Sequence, residues 1–74
     1  MNTTFELQNG EKINVFDNKY YRIGLLMPKI INSKYHPTLK YIETFYMLNP
    51  NEIKKHIKKY EGELVYIVEM NLEI

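Results

Sequence analysis

One segment near the end of the chain restricts the fold more than any other: a helix whose start and stop are both written in the sequence. Asn49 is a natural N-cap, Pro50 suits the first helical position, and Glu52 completes a capping-box-like pair. Leu48 just before the cap and Ile53 after it have the spacing of a hydrophobic staple, and Gly62 offers a left-handed stop. Between these marks Ile53, Ile57 and Tyr60 fall on one face, while Lys54, Lys55, Lys58 and Lys59 fall on the other. A helix with a single apolar stripe requires a surface to lie on, so the remaining chain must supply a sheet.

The rest of the sequence has strand character. Residues 3–7 and 11–16 flank Gln8-Asn9-Gly10. A two-residue Asn-Gly loop would mix polar and apolar groups on both faces of this hairpin. A three-residue loop with Gly10 left-handed pairs Phe5 with Ile13 and Glu6 with Lys12, giving one apolar face and one charge-paired face. Asp17-Asn18-Lys19 then leads into residues 20–26. Pairing Val15 with Tyr21 and Ile13 with Ile23 would extend the apolar face into a three-stranded meander.

Periodicity fails over residues 27–37, where Pro28, Pro37 and Asn32-Ser33 interrupt the pattern. This stretch reads as a loop, with a short extra hairpin turning at Asn32-Ser33-Lys34 as the alternative. Residues 39–48 are rich in Tyr, Ile, Thr and Phe and suit a central strand. In residues 63–73, Leu64, Tyr66, Val68, Met70 and Leu72 make one apolar side that Ile74 continues, and Val65 and Ile67 lie on the other among glutamates. The expected fold is therefore a single α+β domain over residues 1–74, in the order β-β-β-(loop)-β-α-β. It has a mixed sheet of about five strands, the last two parallel, and one helix packed on one face. A partly closed small β-barrel plus helix is the alternative.

Size limits what such a domain can do. At 74 residues, with 45% apolar and 26% charged residues, the chain is globular in composition but buries only about 60% of its unfolded surface. It has no cysteine, which excludes disulfides, thiolate zinc sites and a thiol nucleophile. No apolar run approaches a membrane span of roughly 20 residues, and the first residues lack a secretory pattern, so a cytoplasmic protein with no membrane partner is expected. The richness in Phe, Tyr, Met, Ile, Asn and Lys points to AT-rich codons and a viral, phage-type source.

No constellation of residues suggests catalysis. Ser33 is the only serine and Asp17 the only aspartate, and the chain contains no phosphate-binding glycine motif and no nucleophile elbow. His36 and His56 are the only histidines, without metal-ligand spacing, so neither a metal nor a cofactor is expected. The expectation is a non-enzymatic protein-binding module, a small adaptor or inhibitor acting on a larger macromolecule.

Three surfaces compete for the contact. Lys29, Ile30, Ile31, Lys34, Tyr35 and His36 combine apolar groups with a cationic rim, the composition of a protein-contact patch. Lys54, Lys55, Lys58 and Lys59 would neutralise phosphates in an RNA- or DNA-binding module, although a solvated back is the commoner role for such a face. Val65, Ile67 and Glu69 on the last strand would serve self-association if that strand forms a sheet edge, giving a homodimer. Charge is also uneven along the chain. Residues 12–60 hold all ten basic residues against three acids, while the two ends hold six glutamates and no base. Such segregation favours oriented association.

Overall fold

The computed structural model describes residues 2–71, so the expected continuation of the last strand through Leu72 and Glu73, and Ile74 beyond it, lies outside the described residues. The chain runs β1 (Asn2–Glu6), β2 (Lys12–Phe16), β3 (Tyr20–Ile31), β4 (Lys34–Leu48), α1 (Pro50–Tyr60) and β5 (Glu63–Met70). This is a small α+β fold with two sheets, one of β1-β2 and one ordered β4-β3-β5.

The first hairpin takes the register its side chains demand. Phe5 lies opposite Ile13 and Glu6 opposite Lys12. The loop is closed by Leu7 N–H to Glu11 O at 2.8 Å and Gly10 N–H to Leu7 O at 2.9 Å. Gly10 has φ +89°, which a side chain would disfavour.

The meander stops there. β2 forms no ladder with β3 among the described residues. Instead the buried Tyr21 turns under the hairpin, and its hydroxyl accepts the Phe16 N–H at 2.8 Å, satisfying a group that a β2–β3 ladder would have used. The hairpin thus brings Phe5, Leu7 and Val15 to a core shared with Tyr21, Ile23, Leu25 and Met27 of β3. Alternation along β3 places those four on one face, which the hairpin and the helix both cover.

The larger sheet is antiparallel throughout, which corrects the expected mixed sheet. β4 and β5 do run in the same direction, but β3 lies between them and they do not pair. α1 therefore carries the chain from one edge of the sheet to the other.

The expected loop over residues 27–37 is also corrected, in favour of the hairpin alternative. β3 continues to Ile31 and β4 starts at Lys34, joined by Asn32 (φ 51°) and Ser33 (φ 64°). Two left-handed central residues make the two-residue turn whose twist matches a hairpin. The prolines sit where the ladder tolerates them. The register jumps from Pro28↔Lys40 to Lys29↔His36, which leaves Pro37, Thr38 and Leu39 bulged out of β4.

A second bulge decides which way β5 faces. Gly24 pairs with Tyr66 and Leu25 with Leu64, so Val65 is the extra residue. Leu64 and Ile67 consequently turn to the core, and Tyr66 to the opposite face. The expected single side of Leu64, Tyr66, Val68 and Met70 does not exist. The ring of Tyr66 fills the space a side chain at Gly24 would need: a Cβ there would sit 2.2 Å from Tyr66 Cε2. Across the same strand, the Tyr66 hydroxyl and Thr44 Oγ1 are hydrogen-bonded at 2.8 Å.

Candidate functional site

α1 forms as its sequence dictates and ends one residue earlier than expected. Asn49 Oδ1 accepts the Glu52 N–H at 2.9 Å, Pro50 occupies the first turn, and Ile53 is fully buried. The left-handed residue at the stop is Glu61 (φ 50°, ψ 42°), not Gly62. Gly62 serves a different need, because a Cβ there would meet Leu25 Cβ and Cδ1 at 3.2 Å. Lys58 and Lys59 lie in the last turn, where cations complement the exposed carbonyls.

The tip of the β3–β4 hairpin comes back to this helix end. Tyr35 donates its hydroxyl to Glu61 Oε2 at 2.9 Å, joining residues far apart in sequence. That hydrogen bond, reinforced by the charge of the same carboxylate, holds the Tyr35 phenol above its usual pKa. Between arm and helix lies a cleft of about 400 Å³. Met27 and Pro28 line it from β3, Ile30 and Tyr35 from the arm, and Tyr41 from β4; Lys58, Lys59, Tyr60 and Glu61 complete it. The lysines also sit near rings: Lys29 Nζ is 5.9 Å from the Tyr41 centroid and Lys59 Nζ 5.2 Å from that of Tyr60.

One side of the cleft is stiffened by an aromatic cluster on the helix–β4 seam. Phe45 stacks on Tyr60 with centroids 5.3 Å apart and meets His56 edge-on at 4.9 Å. His56 Nδ1 lies 2.8 Å from the Glu52 backbone oxygen, which accepts its proton. The imidazole thus reaches back one turn of the helix, to the main chain rather than to the Glu52 carboxylate.

The two candidate surfaces read from the sequence partly merge at this cleft. Ile30 and Tyr35 come from the apolar segment, and Lys58 and Lys59 from the lysine face. Ile30 is 73% exposed, an unusual position for isoleucine in a domain this small. Lys29, Ile31, Lys34 and His36 belong to the same arm but do not line the cleft; His36 is half-buried and the other three are exposed. Lys54 and Lys55 lie nearer the start of the helix, exposed to solvent. Sequence reasoning missed Met27, Pro28, Tyr41, Tyr60 and Glu61, because no local pattern announces that the arm folds back on the helix end.

The self-association residues stand differently from their expected geometry. β5 is an edge strand, as the expectation required. Yet Ile67 packs against the core and Val65 is half-buried in the bulge, so they do not form an outward apolar pair. Glu69 is engaged by Lys19 Nζ at 3.1 Å.

Among the described residues no group of His, Asp and Glu could hold a metal ion. No helix there is long and apolar enough to cross a membrane. The chain matches no known protein family, no curated protein and no solved structure.

Proposed function

We propose that the protein is a non-enzymatic binding module that captures a larger protein partner in the cleft between the β3–β4 arm and the end of α1. The observation that carries this reading is the convergence of exposed Ile30 and Tyr35 with Lys58 and Lys59 around one concave surface. Aromatic and aliphatic anchors with a cationic rim favour a partner segment that inserts an apolar side chain and carries acidic neighbours. Tyrosine contributes contact area at little entropic cost, and the Tyr35–Glu61 bond preorganises it. An adaptor or an inhibitor that occludes a host factor works by such a contact.

The test is capture from the lysate of the native host, read by mass spectrometry, with wild type and two variants in parallel. Ile30→Asp and Lys58→Glu/Lys59→Glu should each fold and each lose the same captured protein. Capture that is indifferent to both variants would overturn the reading.

A second reading, RNA or DNA binding, has one observation in its favour. Lys54, Lys55, Lys58 and Lys59 are all exposed, and none is in an ion pair among the described residues. Retention of random RNA or DNA at low salt, lost steeply as salt rises and abolished by Lys55→Glu/Lys59→Glu, is its signature.

A further inference from the structure

The alternation that buries Tyr21, Ile23, Leu25 and Met27 sends Tyr20, Arg22, Gly24 and Leu26 to the opposite face of the same sheet. The hairpin and α1 both lie on the core side, and among the described residues no element covers this second face. Across it, the register sets Thr44 and Tyr66 beside Gly24, and Val68 beside Arg22. The ladder gap between Phe45 and Leu48 brings Tyr46 of β4 to the other flank of Arg22. Tyr46 is 58% and Tyr20 40% exposed.

Tyr66 has an orientation unusual for a strand, where side chains stand roughly perpendicular to the sheet. A Cβ at Gly24 would lie 2.2 Å from its Cε2, and 2.7 and 2.8 Å from the two neighbouring ring atoms. Such similar distances put Gly24 beneath the face of the ring rather than at its edge. The phenol therefore lies flat on the central strand, pinned at its tip by the 2.8 Å bond to Thr44, with its outer face turned to solvent. Arg22 is the chain's single arginine and makes no ion pair among the described residues. Its guanidinium carbon is 5.9 Å from the ring centroid, too far to be stacked on it.

We infer that this face binds single-stranded nucleic acid, one base stacking on Tyr66 and its neighbours on Tyr46 and Tyr20, with phosphates held by Arg22 and Lys40. The occupant follows from shape and charge together. A flat, fixed ring suits a planar base, and such stacking tolerates any base. Tyr20 and Gly24 are four residues apart along β3, about 13 Å, which gives a few extended nucleotides room. Arg22 and Lys40 stand on this face, whereas Glu43 and Glu69 occupy core-face register positions opposite Leu25 and Tyr21. Glu63, opposite Leu26, is the one acid on it among the described residues. A duplex keeps its bases stacked inside and offers the rings nothing. A second copy laid face to face would set two net-cationic faces together. The site lies across the sheet from the cleft and the helix lysines, and stands or falls separately from both.

Fluorescence anisotropy with labelled oligouridylate, oligothymidylate and a DNA duplex of the same length tests this. The wild type should bind both single strands and discriminate against the duplex by about tenfold or more. Affinity should fall with salt at a log–log slope of about −1 to −2, from two phosphate contacts, against about −3 for the four helix lysines. Tyr46→Ala and Arg22→Gln, both at exposed positions, should fold as wild type and each weaken binding about fivefold or more. Tyr66→Leu should weaken it similarly, and Tyr66→Phe, which keeps the ring, should restore most of it. Amide shifts on titration should centre on Arg22, Gly24, Thr44 and Tyr66. No binding of either single strand at low salt would overturn the inference. So would a duplex bound equally well, amide shifts centred on Lys54–Lys59, or affinity untouched by Tyr46→Ala and Arg22→Gln together.

Discussion

Replacing Gly24 by alanine tests the sheet at its tightest point. A methyl group at 24 would lie 2.2, 2.7 and 2.8 Å from three atoms of the Tyr66 ring, so the ring must move by more than an ångström to restore ordinary contact. Moving it breaks the 2.8 Å bond between the Tyr66 hydroxyl and Thr44, worth about 1 kcal/mol. It also uncovers apolar area beneath the ring, costing about another 1–2 kcal/mol at roughly 25 cal/mol per Å². Against this, alanine is less costly than glycine in a strand by about 0.5–1 kcal/mol. The net expectation is destabilisation by about 1–2 kcal/mol, read as a fall in the urea midpoint without a change in slope. The sign should reverse where the ring is missing. In a Tyr66→Ala background the clash is gone, and Gly24→Ala should stabilise by about 0.5–1 kcal/mol. This sign change isolates the ring as the cause, because a double-mutant cycle reports only the coupling between the two sites. A neutral or stabilising Gly24→Ala in the otherwise wild-type protein would refute the argument.

Three further outcomes follow from particular residues. Ile53→Ala removes a fully buried side chain that holds α1 to the sheet, and should cost about 2–4 kcal/mol by denaturant unfolding. Met47 occupies a left-handed bulge position (φ 61°) while 44% exposed, so Met47→Gly should raise the thermal midpoint, the relief being on the order of 1 kcal/mol. The Tyr35 phenol is held above its ordinary value, so its contribution is present below that value and disappears as pH rises through the shifted one. Tyrosinate absorbance should show one phenol ionising above the ordinary range, and proteolysis within the arm should quicken over the same pH interval. Both effects should vanish in Glu61→Gln.

What could be read from the sequence depended on whether one residue pattern had one structural solution. The Phe5–Ile13 register was legible because a slip would have buried charge and exposed the apolar set. The helix was legible from its Asn49-Pro50 start and its spaced isoleucines, since capping chemistry is local. The separation of β2 from β3 was not, because the alternation of Ile13, Val15, Tyr21 and Ile23 serves equally a continued ladder or two layers facing one core. The choice fell to Tyr21, whose buried hydroxyl took the Phe16 N–H. β5 was ambiguous for a related reason: Leu64-Val65-Tyr66-Ile67-Val68 is apolar at every position, so nothing in the pattern marks the bulge that reverses its faces. Gly62 was assigned the left-handed turn by its type, but contact with Leu25 used that glycine and left the turn to Glu61. The cleft was half visible. Its apolar and lysine contributions each stood out along the chain, while their meeting depends on a hairpin arm that Pro28 and Pro37 disguised as a loop.

The cleft exists only while that arm is docked at the end of the helix. A nuclear Overhauser spectrum of the protein in solution measures this directly. Cross-peaks from the Tyr35 ring to the Glu61 side chain, together with backbone contacts between Ile30 and Tyr35 across the arm, are expected. An arm without cross-strand contacts, or a Tyr35 ring with no neighbour on α1, would contradict the cleft and the function proposed for it.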